Sequence, residues 1–537
     1  MMLGIALLLQ SGCVKRYSNQ PVANKTPLTF FWIYSDTAVA QGVSKQELRW
    51  WGEDQDGFVV GYLLAIVPNL SAIPDPDTLT YSYVTTTDSI ISFPLRQAKQ
   101  TFLVAVHAVD NTFSYPLPVG AVIRLTPFIY WDKNNNGVFD AADVRLDNLA
   151  NSMDPNGAKQ QFPTVNTPPT IGYVPDANVD TLVAQPPPFT YTVASFSWVG
   201  HDFDGDETIA GYKISLNDST FSNPLLVPAN VTTITLSVPR ARSDNATSAV
   251  SADVLTGSSP NLYTIGTLAG LQLDANNKLY VQTLDVAGAS SSSLIFPTSG
   301  RTWFVKKPRG AMLLVIDYVG SGDSSAVRTF YTDSVFQKIS GLTYDIMNLR
   351  DGSMTPSTQH VNPALTKTLK LYNSVFWYTD PSPSLVISRK VLFDYWSSND
   401  GGHLIYSAQF TDRTVNPDAG HAYRDIAPLD SLGWTALNAT RESGTLIADT
   451  YPVLSFKKIY IAPTFPIYPN AAAKNIYYYP ANATSGDPQT SVGVIDDTKR
   501  VVFLSFPLDK MYAAYPAGQG VVGFFHQAFS DFGISLP

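Results

Sequence analysis

The chain has 537 residues, 45% hydrophobic, 12% aromatic and 15% charged, enough for several domains that each bury a core and too apolar for general disorder. Its 35 basic and 44 acidic residues leave a net charge of −9, and no Lys/Arg run supplies a local positive field, which argues against nucleic acid as a partner. The single cysteine excludes an intrachain disulfide, a thiolate zinc cluster and a CxxC redox centre.

Met2 to Leu9 form a short apolar run, followed by Ser11, Gly12 and Cys13. This resembles a bacterial lipoprotein signal, in which an apolar stretch and small residues precede a cysteine that is acylated. Gln10 stands where that family usually has Leu. Residues 1–23 are thus expected to be signal and tether. The resemblance implies a mature chain lipid-anchored to the membrane through Cys13, in the cell envelope, at the periplasmic face or the surface of a bacterial outer membrane. The alternative is a stray or buried free thiol near a frayed terminus. An apolar run this short does not span a bilayer core of about 30 Å.

Trp50-Trp51-Gly52-Glu53-Asp54-Gln55-Asp56-Gly57 and Trp198-Val199-Gly200-His201-Asp202-Phe203-Asp204-Gly205 share the frame W-x-G-x-D-x-D-G, and each is followed by Gly-Tyr, at Gly61-Tyr62 and Gly211-Tyr212. Each copy starts near a Thr-Pro pair, Thr26-Pro27 or Thr167-Pro168, and later has an apolar strand ending in Asp110 or Asp285. A Trp before such a turn, with an alternating strand after it, predicts a hairpin with Trp on the core face and Gly at positive φ. The repeated unit resembles a fibronectin type III or related immunoglobulin-like sandwich, over residues 24–126 and 164–307. In the second copy the Ser/Thr/Ala/Asn-rich stretch 241–260 is expected to be a long exposed loop. Asp54 and Asp56, and Asp202, Asp204 and Asp206, are read either as caps of their own turns or as Ca²⁺ ligands.

Between the copies, in an expected linker over 127–163, lies Asp132-Lys133-Asn134-Asn135-Asn136-Gly137-Val138-Phe139-Asp140-Ala141-Ala142-Asp143. With Asp132 as position 1, side-chain oxygens fall at 1, 3, 5, 9 and 12, Gly137 takes the sharp turn at 6, and Val138 offers its carbonyl at 7. The spacing resembles an EF-hand-like loop of the dockerin kind, which implies Ca²⁺ held by Asp132, Asn134, Asn136, Val138, Asp140 and Asp143. Pro127-Phe128-Ile129-Tyr130 reads as a strand in place of an entering helix. The other reading is a plain Asn/Gly turn.

From 308 the pattern changes to continuous apolar strands, at 312–316, 344–349, 374–378, 404–407 and 501–506, with amphipathic helical patterns at 364–372, 385–396 and 521–532. That alternation predicts a buried, mostly parallel sheet. Gly401-Gly402-His403-Leu404-Ile405-Tyr406-Ser407-Ala408-Gln409 resembles the approach to the nucleophile strand in class I glutamine-amidotransferase-like domains, which implies a flavodoxin-like α/β fold over 308–537. Those relatives place a cysteine near the position of Ala408, so thiol amidotransfer is excluded for this sequence. Ser407 lacks a G-x-S-x-G elbow and reads as a packing serine. His403, His421 and His526 read as structural or exposed. Asp317, Asp380, Gln409 and Asp412 are expected to line the crevice at the carboxyl ends of the strands.

The whole chain is therefore expected to be multidomain: two all-β immunoglobulin-like sandwiches, then an α/β flavodoxin-like three-layer domain. Its expected function is a non-enzymatic envelope or surface lipoprotein whose sandwiches act as spacer or adhesion modules and present a degenerate binding domain to an envelope protein or glycan. The alternative is an exported hydrolase acting on glycans or peptides, which requires His421 or paired carboxylates to converge in one cleft.

Overall fold

The structure, a computed structural model, describes residues 23–32, 42–43, 45–68, 78–93, 95–176, 179–258, 261–319, 323–380, 385–408, 423–433, 444–457, 464–481, 488–515 and 518–536. With 42% strand against 16% helix it is mostly β-sheet. It divides into two compact units: the described residues up to 168 with 202–208 and 286–289, and residues 169–201, 209–285 and 290 onward.

In the first unit, strands Leu28–Phe31, Lys45–Glu53 and Asp88–Ser92 form a three-stranded antiparallel sheet. An eight-stranded sheet is centred on the antiparallel pair Val59–Pro68 and Lys99–Asp110. Their facing side chains make one core, in which Leu48, Trp50 and Ile91 meet Tyr62, Phe102 and Val104. Lys99–Asp110 is buried at every position from Phe102 onward, so its second face also needs cover, as a continuous apolar run demands. Residues 127–163 provide it, which corrects their reading as a linker. Strands Tyr130–Trp131, Val144–Arg145 and Ala158–Val165 extend the eight-stranded sheet. Leu146, Leu149 and Met153 close its second face over Leu63, Ala65 and Leu103.

In the second unit, a five-stranded antiparallel sheet containing Val193–His201 faces a four-stranded one containing Ile209–Leu216 and Leu279–Asp285. Phe196 and Trp198 from one meet Tyr212, Ile214 and Val281 from the other. The expected exposed loop at 241–260 is instead largely structured. Helix Arg240–Asp244 leads to strand Ala249–Thr256, which pairs with Thr233–Ser237 and Tyr263–Gln272. Val250, Ala252 and Val254 are buried; their period-2 alternation, set among Ser and Thr, carries a strand that polar composition conceals.

The C-terminal region belongs to the same unit. Within it, strands are labelled β1 (Met312–Asp317), β2 (Tyr344–Asn348), β3 (Ser374–Thr379), β4 (His403–Ala408), β5 (Ile447–Ala448), β6 (Ala473–Tyr479), β7 (Thr490–Asp496) and β8 (Val501–Leu504). The sheet order is β2-β1-β3-β4-β8-β7-β6-β5, parallel from β2 through β8 and antiparallel beyond. Successive side chains enter opposite cores. Leu314, Ile316 and Phe376 pack under helix α2 (Gly520–Asp531), whereas Leu313, Val315 and Trp377 pack with helix α1 (Leu385–Ser397). Among the described residues no helix is long and apolar enough to cross a membrane.

Candidate functional site

The Asp132–Asp143 loop is clamped by a β-pair, Val144 opposite Trp131 and Arg145 opposite Tyr130, which replaces the helices that usually flank such a loop. Asn135 (φ 52°) and Gly137 (φ 78°) adopt left-handed backbone, a conformation open to Gly and tolerated by Asn. The Asp132 carboxylate accepts the N–H groups of Asn136 at 3.1 Å and Gly137 at 2.9 Å and pairs with Arg124 Nε at 2.7 Å. Burial pushes its pKa up, but the Arg124 hydrogen bond and the two backbone donors outweigh this and hold it below the ordinary carboxylate range. The amides of Asn134 and Asn136 both donate to Asp140 Oδ2, at 2.9 and 2.8 Å. Backbone donation from Ala142 and these two amides lower the pKa of Asp140. Asp143 accepts the N–H groups of Lys133 and Asp140, each at 2.9 Å.

Positions 1, 3, 5, 9 and 12 are thus linked to one another by hydrogen bonds among their side chains and backbone N–H groups. Among the described residues no three His, Cys, Asp or Glu side chains gather as a metal-holding group. A cation here would accordingly depend on the Asn134 and Asn136 oxygens and the Val138 carbonyl as much as on carboxylate, with both amides rotated to present Oδ1.

The two D-x-D-G turns use their carboxylates locally. Asp54 Oδ1 accepts the N–H of Asp56, and Asp202 Oδ1 that of Asp204. The next carboxylate in each copy reaches the chain just before its first strand: Asp56 accepts the N–H of Lys25 at 3.1 Å, and Asp204 that of Thr167 at 2.8 Å. Gly205 has the expected positive φ, 120°, but the expected hairpin is not formed: in both copies the strands flanking the turn cross from one sheet to the other, which lets the Trp and the following Tyr meet across the core. Gly57 is needed for another reason: a Cβ there would lie 2.1 Å from Asn111 Oδ1.

At the carboxyl edge of the parallel strands, Asp317 and Asp380 are buried, and the Asp380 backbone N–H donates to the Asp317 backbone carbonyl at 3.4 Å. Asp317 pairs with Arg350 and accepts Trp377 Nε1–H at 3.3 Å, while Asp380 Oδ2 accepts the Val319 N–H at 2.6 Å. Ser407 is 1% exposed; its Oγ donates to the Phe506 carbonyl at 3.0 Å and accepts the Leu508 N–H at 3.3 Å. Ala408 is buried. His403 is stacked on Phe532 at 4.6 Å, and burial lowers its pKa; His526 is exposed. Gln409, Asp412 and His421, like Cys13, lie outside the described residues. A cavity of about 340 Å³ opens beside the ends of β1 and β2, lined by Ser324, Arg328, Asn348, Arg350 and Asp351. Arg350 was not foreseen, because its pairing with Asp317 depends on β1 and β2 being parallel neighbours.

Sequence reasoning also missed a polar seam within the second unit. Tyr191 donates to the Ile346 carbonyl at 2.9 Å and meets the Tyr372 ring at 5.6 Å. Ser197 Oγ lies 2.9 Å from His360 Nε2. Burial pushes the His360 pKa down to about 4, a fall that Asp176 partly offsets.

No protein-family model and no curated protein matches the chain. Among solved structures it is similar to one described as fibronectin(III)-like modules of CbhA from Clostridium thermocellum, at 11% identity over 52% of this chain and 94% of that one, with a TM-score of 0.16.

Proposed function

We propose that the chain is a lipid-anchored protein of the cell envelope or cell surface, in which two fibronectin type III-like modules carry a flavodoxin-like domain that binds a partner and catalyses no reaction. One observation supports this reading: among the described residues, Asp317, Asp380 and Ser407 at the carboxyl edge of the parallel strands are engaged in structural bonds. Asp317 neutralises Arg350, Asp380 holds the Val319 backbone, and Ser407 ties β4 to the chain at Phe506 and Leu508. An activated nucleophile needs its hydroxyl directed at a base and open to substrate, and the Ser407 hydroxyl is buried in backbone bonds. The strand order with β1 between β2 and β3 supports the flavodoxin-like assignment, and facing antiparallel sheets support the sandwich assignment.

Ca²⁺ in the Asp132–Asp143 loop belongs to the same proposal, as a structural ion of the first unit. Cys13, preceded by Ser11 and Gly12, supplies the anchor. The test compares wild type with Cys13→Ala and Ser407→Ala in native membranes. Cys13→Ala should lose lipid label and move to the aqueous phase. A fluorophosphonate probe should label neither wild type nor Ser407→Ala. Labelling of wild type that Ser407→Ala removes, or unchanged membrane partition of Cys13→Ala, overturns the corresponding half of the proposal.

A further inference from the structure

The outward face of the first unit's three-stranded sheet carries large rings that its core does not use. On these strands Leu48, Trp50 and Ile91 point inward and are buried. The opposite face should be polar by the alternation of a half-buried sheet, yet it bears Phe30, Trp32 and Trp51. The register places Phe30 opposite Trp51, and their rings stack at 5.2 Å and 22°. Trp32 meets Trp51 edge to face at 6.1 Å and 68°, and the Trp32 backbone N–H donates to the Arg49 carbonyl at 2.9 Å. Trp32 is 58% exposed and Trp51 36%. The neighbouring positions on this face are charged: Arg49 stands opposite Asp88 and binds Glu47 at 2.8 Å, with both side chains more than half exposed.

The second module serves as an internal control. Its corresponding strands pair Gly172 with Val199, so Gly and Val occupy the places of Phe30 and Trp51. That module packs the equivalent Trp198 against Tyr212 without a ring at either of those two places, so the shared frame itself does not require the Phe30–Trp51 stack.

We infer that this face is a glycan-binding platform for neutral polysaccharide, which goes beyond the anchoring and binding roles proposed above and assigns them a second site. A pyranose ring has an apolar C–H face and a rim of hydroxyls. The rings take the first by stacking and dispersion; Arg49, Glu47 and Asp88 hydrogen-bond the second. Trp51, stacked on Phe30, meets Trp32 edge to face, which reduces the side-chain ordering that binding costs. The centre of a protein–protein interface is depleted of charge, whereas here ions lie one row from the rings. Among the described side chains of this face, Arg49 against Glu47, Glu53 and Asp88 is net negative, which disfavours anionic polymers relative to neutral ones.

The experiment is native affinity electrophoresis of the full chain in gels containing hydroxyethyl cellulose, xyloglucan or galactomannan, with tryptophan-fluorescence titration of the polymer that retards it. At least one polymer should retard the wild type. Trp32→Ala, at an exposed position with no core role, should weaken binding at least tenfold while melting as the wild type does, and Trp51→Ala should weaken it similarly. Val199→Ala, at the corresponding place in the second module, should bind normally. No retardation by any of the three polymers overturns the inference, as does wild-type affinity in Trp32→Ala. Retardation confined to alginate gels and lost in Arg49→Ala, or self-association in sedimentation that Trp32→Ala abolishes, also overturns it, the latter in favour of a second copy of this chain.

Discussion

The two copies of the W-x-G-x-D-x-D-G frame keep the same inner residues and differ on the outside. In both, the Trp is buried against the Tyr of the following strand, Trp50 on Tyr62 at 6.3 Å and Trp198 on Tyr212 at 5.6 Å. In both, the Gly two residues after that Trp is crowded: a Cβ at Gly52 would lie 2.7 Å from Ala108 Cβ, and one at Gly200 would lie 2.9 Å from the Tyr212 hydroxyl. The outer positions diverge. Ser195 and Ser197 are buried in the second module and bond Thr235, Thr233 and His360, because its strand is sandwiched between two cores and a buried polar group must be satisfied. Register places Glu47 and Arg49 at the same points of the first module, where they form an exposed ion pair. A shared frame thus specifies the sandwich, and the outer residues specify what each module meets.

The largest test of this comparison removes the shared anchor. Trp50→Ala and Trp198→Ala should each cost about 3–5 kcal/mol, read by denaturant unfolding; a cost in one copy alone would break the equivalence of the two. Next, exchanging outer residues should be asymmetric. Ser197→Arg forces an unpaired charge into the seam at His360 and should cost about 3 kcal/mol, whereas Arg49→Ser at the surface should change stability by less than about 0.5 kcal/mol. Equal effects would show that the two faces are not differently used.

The pH dependence sharpens the same contrast. His360 is buried, with Nδ1 lacking a partner among the described residues, and burial lowers its pKa from 6.5 to about 4. Between those values the unfolded chain binds the extra proton, so stability falls as pH drops from about 6.5 towards 4. The full difference is ~3 kcal/mol at about 1.4 kcal/mol per unit. His360→Gln should flatten this slope in thermal melts across that range, and an unchanged slope would place the titration elsewhere. The smallest effect concerns the first unit. Millimolar Ca²⁺ should stabilise it by about 1–2 kcal/mol if the loop binds as a weak extracellular-type site. Calorimetric heat and the melting shift should both vanish in Asp132→Ala, and their absence from the wild type would return the loop to a plain turn.

What the sequence determined by itself was local. The Asn/Gly turn was legible because its geometry follows from residues a few positions apart, as at Gly137, whereas the D-x-D-G frame marked a turn but not where its strands go: the strands on either side join different sheets in both copies. The apolar runs of the C-terminal region mark its strands for the same reason: Met312–Asp317 and Ser374–Thr379 are buried at every position, and only a strand covered on both faces needs such a run. Tertiary structure decided everything that depends on register and layer order. Residues 127–163 read as a linker because they lie between the two repeated copies and carry the Asp132–Asp143 loop, and only the uncovered second face of Lys99–Asp110 draws Leu146, Leu149 and Met153 onto it. Strand Ala249–Thr256 was hidden by Ser and Thr until pairing on both sides buried its alternate residues. Asp317 was legible as a strand-end carboxylate, but its partner Arg350, 33 residues away, is set by the parallel pairing of β1 with β2. Phe30 and Trp51 likewise form an outward stack only because the antiparallel register sets them opposite each other. One-dimensional spacing carries turn chemistry and burial, while cross-strand partners come from pairing between distant segments, which no local pattern encodes.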